Sequence, residues 1–171
     1  FYYFFACKQW KKEYGIPVIA VPSGNFGNIC AGLVAKVSGL PVKHFIAACN
    51  ANNTVPEFFK TGNINPKSTI ATISNAMDVS NPSNFVRILE LFQHQIPELK
   101  KSISAYSISD SETKETIIST YKKYGYLLDP HGAVGFFAME KYLQQYPQAK
   151  GFIVETAHPV KFYDVVEPLI N

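Results

Sequence analysis

Short apolar runs alternate along the chain with segments that have the apolar spacing of amphipathic helices. The runs predict buried strands at 15–21, 42–48, 68–73, 103–108 and 151–154. The helical spacing predicts helices at 2–13, 28–38, 55–60, 83–92, 110–124, 132–146 and 159–169. Because strands and helices alternate with short connections, we expect an α/β fold with an open, mostly parallel sheet and helices on both faces.

Residues at the ends of these segments predict several boundaries. Thr54 is expected to cap the third helix, and Asp110 or Ser111 the fifth, because short polar side chains accept bonds from the first turn. Gly125 should end the fifth helix, since glycine readily takes the left-handed conformation found there. Pro97 is expected to break the chain after the fourth helix.

The composition narrows the class of protein. The 171 residues fit one domain over 1–171, and 47% of them are hydrophobic while 17% are charged. This balance argues against intrinsic disorder. A scattered net charge of +3 argues against nucleic-acid binding, and no apolar run approaches the ~18 residues that span a membrane. We therefore expect no nucleic-acid or membrane partner.

Cysteine and histidine usage predicts neither a disulfide framework nor a metal site. The three cysteines are an odd number without a Cys-x-x-Cys spacing, which predicts reduced thiols and a cytoplasmic protein. The four histidines and three cysteines show no spacing that would hold a metal ion.

An aromatic cluster, Phe-Tyr-Tyr-Phe-Phe, occupies residues 1–5. Exposed aromatic clusters are an aggregation hazard unless something covers them. Two interpretations stay open: a helix that packs on the core of this chain, or a segment that belongs against the remainder of a longer protein.

The segment Val-Pro-Ser-Gly-Asn-Phe-Gly-Asn at 21–28 lies between a predicted buried strand and a helix. Gly24 and Gly27 are expected to take positive φ and to let a ligand approach the backbone. Successive N–H groups and the following helix N-terminus form a site for an anion. Neither GxxxxGK[ST] nor GxGxxG is present, so one small phosphate monoester is the predicted ligand. The alternative is a tight turn without a ligand.

That loop is the first of four motifs spread along the chain. The others are Asn-Ala-Met-Asp-Val-Ser at 75–80, Asp-Pro-His-Gly-Ala-Val at 129–134 and Thr-Ala-His-Pro-Val-Lys-Phe at 156–162. In this order they resemble motifs of threonine synthase, a pyridoxal 5′-phosphate enzyme of the tryptophan-synthase β-like fold (fold type II). The resemblance covers essentially the whole chain and implies this fold in an incomplete form.

The resemblance implies roles for individual residues. The cofactor phosphate would be bound mainly by backbone amides of Gly24, Asn25, Phe26, Gly27 and Asn28. The Thr156 hydroxyl would face the pyridine nitrogen of the cofactor, and a neutral hydroxyl there leaves that nitrogen largely unprotonated. Taken alone, Thr156 could equally cap the helix near 159.

The resemblance also implies which residues bind the substrate, while the two histidines are interpreted from their position beside prolines. Arg87, the only arginine, would bind the substrate phosphate with its planar guanidinium, and Asn84 would assist it. His131 and His158 each adjoin a proline at a turn, where a hydrogen-bonded structural role is expected.

The chain departs from the family pattern in three ways. Gly132 stands where the family usually has threonine, and Glu155 stands before Thr156 where a small residue is expected. The Ser-Phe-Lys-Asp motif with the Schiff-base lysine is absent. The resemblance therefore implies the C-terminal portion of the enzyme, with the N-terminal portion of the same protein as its missing partner.

The implied activity of the intact enzyme is a carbon–oxygen lyase reaction that converts O-phosphohomoserine and water to L-threonine and phosphate with pyridoxal 5′-phosphate. The isolated chain is expected to be inactive because it lacks the lysine. Two alternatives stay open: another fold type II enzyme, such as a threonine dehydratase or cysteine synthase, and a non-catalytic phosphate-binding module.

Overall fold

The computed structural model describes residues 1–171 and contains four strands and eight α-helices. The strands are β1 Val18–Pro22, β2 His44–Cys49, β3 Ile103–Ser107 and β4 Gly151–Ile153. The helices are α1 Tyr2–Gln9, α2 Gly27–Val37, α3 Thr54–Thr61, α4 Phe85–Leu91, α5 Ile96–Ser102, α6 Asp110–Tyr124, α7 Pro130–Gln145 and α8 Tyr163–Ile170. Short 3-10 turns lie at Lys12–Tyr14, Asn75–Met77 and Pro159–Phe162.

The four strands form one sheet in the order β3-β2-β1-β4, and every neighbouring pair is parallel. β1 lies between β2 and β4, and all five of its residues are buried. Ile19 and Val21 pack into the core beneath α2, while Val18 and Ala20 pack against α7 on the opposite face. The predicted α/β fold with helices on both faces is confirmed.

The predicted strand at 68–73 is wrong, because side chains bind the N–H groups that a strand would use. The Ile70 N–H donates to Asn52 Oδ1 at 2.8 Å, and the Thr72 N–H donates to Asp78 Oδ2 at 3.0 Å. The segment follows these polar partners instead of joining the sheet. The apolar residues within 68–73 carry no information about such distant acceptors.

Three residues expected at helix ends have other roles in the structure. Thr54 is the first residue of α3, and its hydroxyl donates to a loop carbonyl instead of capping the helix. The cap of α6 is Ser109, ahead of the predicted Asp110 or Ser111, because Ser109 completes a reciprocal capping box. Pro97 lies in the first turn of α5, a helix that the sequence pattern did not predict, and proline is well tolerated there.

The N-terminal aromatic cluster is divided between the core and the surface. Tyr3 is buried and packs edge-on against Phe45, whereas Phe1, Tyr2 and Phe5 are exposed. The helix ends at Gln9, earlier than predicted. None of the eight α-helices combines the length with the apolar character that a membrane-spanning helix needs.

Candidate functional site

The loop between β1 and α2 lies at the carboxyl edge of the sheet, as predicted. Its first residue is anchored: the Ser23 N–H donates to Ala48 O at 2.8 Å, and the Ser23 hydroxyl donates to Val21 O at 2.7 Å. α2 then begins at Gly27. The loop is therefore held between the two central strands, in the position where open α/β sheets bind ligands.

Six consecutive backbone N–H groups of this loop have no acceptor in the protein. They belong to residues 24–29, and the first N–H that is paired is that of Cys30, which donates to Phe26 O at 3.0 Å. No side chain caps α2. Unpaired donors at a helix N-terminus, where the helix dipole adds partial positive charge, favour binding of an anion.

The left-handed residue of the loop is Phe26, with φ 62°, and neither Gly24 nor Gly27 has a positive φ. The expectation that the glycines would supply this conformation is therefore wrong. A left-handed non-glycine residue costs about 1–2 kcal/mol, and burial of the Phe26 ring against Phe85, with centroids 5.7 Å apart, offsets that cost.

The glycines are required by close packing. A Cβ atom at Gly24 would lie 2.6 Å from Met77 Cα, which is backbone and cannot easily move. A Cβ at Gly27 would lie 3.3 Å from Asn84 Nδ2, which belongs to a side chain and can shift. Gly24 therefore lets the 3-10 turn at Asn75–Met77 approach the loop.

Two asparagines of the loop are held by neighbours through atoms other than their N–H groups. Asn25 Oδ1 accepts from the Ser83 N–H at 2.7 Å, and Asn84 Nδ2 donates to Asn25 O at 2.9 Å. The Tyr3 hydroxyl contacts Asn28 O at 3.0 Å and Asn28 Oδ1 at 2.9 Å. These contacts fix the loop and leave its amide donors free. Asn84, predicted to bind substrate, here supports the loop.

Arg87 is exposed on α4 and forms no ion pair. Its charge acts on Cys30 in the first turn of α2: burial raises the pKa of the Cys30 thiol, and the nearby guanidinium partly opposes that rise. Arg87 is therefore close enough to the first turn of α2 for its charge to act there. An unpaired guanidinium in this position could bind a second anion.

Thr156 lies three residues beyond the end of β4, which pairs in parallel with β1. It is therefore at the same edge of the sheet as the loop. Its side chain is exposed and makes no hydrogen bond within the protein. The following turn is capped by His158, whose Nδ1 accepts from the Val160 N–H at 3.2 Å, so Thr156 is not the cap.

A buried pair of Asp129 and His131 closes the N-terminus of α7; the sequence analysis had named His131 without this partner. Asp129 accepts bonds from the N–H groups of His131 and Gly132 and from His131 Nδ1 at 2.7 Å. His131 Nε2 accepts from the Ala76 N–H at 3.2 Å, so the ring is neutral and carries its proton on Nδ1. The predicted structural role of His131 is confirmed.

Burial alone would raise the pKa of Asp129, but the hydrogen bonds from His131 and Gly132 outweigh it and hold that pKa below its ordinary value.

The pair of Asp129 and His131 also connects separate parts of the site. It joins α7 to the turn that carries Ala76 and Met77, and Gly24 packs against that turn. The three motifs at 23–28, 75–80 and 129–134 are thereby in contact.

A polar network centred on Asp78 holds the irregular segment beside this turn. Asp78 Oδ1 accepts from Asn50 Nδ2 at 2.8 Å, from the Thr72 hydroxyl at 2.7 Å and from Asn52 Nδ2 at 3.3 Å. Asn50 and Asn52 are both buried, just beyond the end of β2. Polar residues after a buried strand were the available signal for this network, but its partners are too far apart in sequence to be paired from pattern alone.

Comparisons with known proteins agree with this arrangement. The chain is 46% identical to the threonine synthases of Haemophilus influenzae and Escherichia coli over 99% of its own length and 39% of theirs. The crystal structure of the Escherichia coli enzyme superposes with a TM-score of 0.91 over 99% of this chain and 39% of that one. The yeast threonine synthase structure gives a TM-score of 0.90 at 32% identity, over 98% of this chain and 41% of that one.

More distant structures bear on the fold alone. A tomato threonine deaminase is 14% identical with a TM-score of 0.67, over 98% of this chain and 44% of that one. No protein-family model matches the chain. Its sequence and its fold together establish that the chain is a homologue of threonine synthases along nearly its whole length, and that it spans 39% of the length of the Haemophilus influenzae and Escherichia coli enzymes.

Proposed function

We propose that this chain is the C-terminal portion of a threonine synthase, a carbon–oxygen lyase that uses pyridoxal 5′-phosphate to convert O-phosphohomoserine and water to L-threonine and phosphate. The observation that carries the proposal is the run of six unpaired N–H groups at residues 24–29. The 46% identity to threonine synthases supports it over the threonine deaminases, which share only the fold.

The cofactor fits the donors that are present. A phosphate monoester would accept hydrogen bonds from the loop amides, and the N-terminus of α2 would stabilise its charge. A threonine synthase structure from Brucella melitensis is described as bound to pyridoxal phosphate, and it is 31% identical with a TM-score of 0.86 over 99% of this chain and 41% of that one. Thr156, exposed and without a partner at the same edge, would present its hydroxyl to the ring nitrogen.

The bound cofactor would stabilise negative charge at the α and β carbons of the substrate, while residues of this chain bind and orient. The guanidinium of Arg87 would bind the substrate phosphate, which is the leaving group. Asn84 would hold the loop through Asn25 O and face the same phosphate. The neutral Thr156 hydroxyl would leave the ring nitrogen largely unprotonated and so moderate electron withdrawal.

The catalytic lysine would lie in the preceding N-terminal portion, since this chain contains no Ser-Phe-Lys-Asp motif. The isolated chain would then keep its phosphate site and lack turnover, in a cytoplasmic enzyme. Incubation with O-phosphohomoserine and the cofactor should release no phosphate above a reaction without protein. Threonine formed by the isolated chain would contradict this part of the proposal.

The binding site is best tested with pyridoxine 5′-phosphate, which has the phosphate but no aldehyde and so cannot react with surface lysines. Calorimetry should detect binding of this compound and none of unphosphorylated pyridoxine.

The variant Asn28→Asp tests the loop itself. It adds a carboxylate beside the free amides and keeps an acceptor for Tyr3. Charge repulsion should weaken binding by about tenfold or more.

The matched control is Gln95→Glu, which adds the same charge at the N-terminus of α5. It should bind pyridoxine 5′-phosphate as the unmodified chain does. Equal affinity in Asn28→Asp, or equal weakening in both variants, would contradict the assignment of the loop. A complete protein that binds the cofactor without turning over O-phosphohomoserine would indicate a binding module instead.

A further inference from the structure

Glu155 and Gly132, the two residues that depart from the family pattern beside the site, are in contact with each other. A Cβ atom at Gly132 would lie 2.8 Å from Glu155 Oε1 and 3.0 Å from Asp129 Oδ2. The carboxylate of Glu155 therefore occupies space that exists only because residue 132 has no side chain. The missing side chain at Gly132 thus leaves room for the carboxylate of Glu155.

The second oxygen of this carboxylate has a partner of its own. Glu155 Oε2 accepts a hydrogen bond from the Tyr126 hydroxyl at 2.7 Å. That hydrogen bond raises the pKa of the Tyr126 phenol, so the hydroxyl remains a donor at neutral pH. The carboxylate also lies over the first turn of α7, where the helix dipole favours negative charge.

The segment that follows β4 has few other attachments. The last backbone hydrogen bond before it joins the Val154 N–H to Ala20 O. Hydrogen bonding of the backbone resumes at Val160 and Lys161, whose N–H groups donate to Nδ1 and to the carbonyl oxygen of His158. The backbone of residues 155–157 forms no hydrogen bond, and neither does the Thr156 side chain. The Glu155 carboxylate is thus the polar group that joins this stretch to Tyr126 and to the start of α7.

We propose that Glu155 is a positioning residue: seated above Gly132 and bonded to Tyr126, it fixes the backbone on which Thr156 presents its hydroxyl. This inference rests on the proposed function, because it concerns the group that Thr156 faces. Without the carboxylate, the hydroxyl would sample several positions and meet the ring nitrogen less often. Gly132 is then required for the orientation of Thr156, although it lies on a different element.

The test uses the complete protein that contains this chain, loaded with pyridoxal 5′-phosphate. Glu155→Gly removes the carboxylate, and Gly132→Ala displaces it. Each should raise the Kd for the cofactor about fivefold, the effect of losing one hydrogen bond, and shift the absorption band of the bound cofactor, because its ring nitrogen loses a fixed partner. Glu155→Gln keeps an acceptor for Tyr126 and should restore the band of the unmodified protein.

The double variant Gly132→Ala with Glu155→Gly separates coupling from independent damage. The added methyl group then no longer meets Glu155 and keeps only the contact with Asp129 Oδ2 at 3.0 Å. If the clash with Glu155 carries the effect, this variant should match Glu155→Gly alone in both Kd and absorption band. The positioning role would be overturned if the Kd effects of the two substitutions multiplied in the double variant, or if the absorption band were unchanged in Glu155→Gly. Either result would leave the proposed function intact. An unmodified complete protein that binds no cofactor would overturn both.

Discussion

Two helix N-termini meet at the carboxyl edge of the sheet, and they treat their free N–H groups in opposite ways. At α7 the buried Asp129 accepts from the N–H groups of His131 and Gly132, and Pro130 has no N–H to satisfy. At α2 no side chain caps the helix, and the N–H groups of residues 24–29 remain unpaired. The N-terminus of α7 is thus capped by a carboxylate of the protein, and the N-terminus of α2 is not.

The difference shows how a structural helix end can be distinguished from a binding one. Both ends follow turns, both have glycine in or near the first turn, and both lie beside the same sheet edge. What separates them is whether an acceptor within the protein satisfies the donors. The closed end holds the 3-10 turn at Asn75–Met77 against the open one through His131, so the two ends form one unit.

Removing the internal anion should have the largest effect. Asp129→Ala leaves the His131 ring and two first-turn N–H groups buried without an acceptor, which should lower the free energy of unfolding by about 3 kcal/mol. Urea denaturation measures this loss. Ser109→Ala at the exposed cap of α6 is the matched control and should cost about 1 kcal/mol. Equal losses would show that the Asp–His pair is no more than an ordinary cap.

The two loop glycines should differ in their cost. In Gly24→Ala the added methyl group meets Met77 backbone, so we expect a loss of about 2 kcal/mol in the free energy of unfolding. In Gly27→Ala it meets only the movable Asn84 side chain, and the change should stay within about 0.5 kcal/mol. Equilibrium unfolding of both variants checks this. A large loss in Gly27→Ala would mean that the loop needs glycine there for another reason.

Acid should weaken the closed end by a smaller amount. Because the folded-state pKa of Asp129 lies below its ordinary value, its contribution to stability is fully present above about pH 4 and is lost as the pH falls through that lower pKa. Unfolding curves recorded at decreasing pH measure the slope. Asp129→Asn should make stability depend less steeply on pH. The pH dependence that comes from Glu112 in the capping box of α6 should remain, because the pKa of Glu112 is also lowered despite partial burial. An identical slope in both proteins would contradict the assignment.

The smallest effect concerns the contact between α1 and the open end. Tyr3→Phe keeps the buried ring and removes the hydroxyl that contacts Asn28 O and Oδ1. The free energy of unfolding should fall by about 1 kcal/mol. Thermal denaturation with Tyr2→Phe, an exposed position, as the control isolates this bond. Unchanged stability would mean that the loop is fixed without α1.

The sequence was sufficient for features that depend on neighbouring residues. The four strands of the sheet and the place of the loop were predicted, because apolar runs and glycine spacing are local signals. The strand expected at 68–73 failed because distant Asn52 and Asp78 take its backbone donors. The positive φ was assigned to glycines and belongs to Phe26, whose burial against α4 supports it.

The candidate site was predicted in outline for the same reason. The free amides follow from a loop before a helix, which a sequence motif can mark. The closed end at Asp129 and the contact between Glu155 and Gly132 were not predicted, because each joins elements that only the folded chain brings together.

The most direct test of the account compares the two helix ends by amide NMR on the isotope-labelled chain as pyridoxine 5′-phosphate is added. We predict that the amide signals of residues 24–29 move with the ligand and that those of His131 and Gly132 stay in place. In Asn28→Asp the same movement should require about tenfold more ligand. Signals at 24–29 that do not respond to the phosphate compound, or that respond equally to unphosphorylated pyridoxine, would contradict the claim that this open helix end binds a phosphate group.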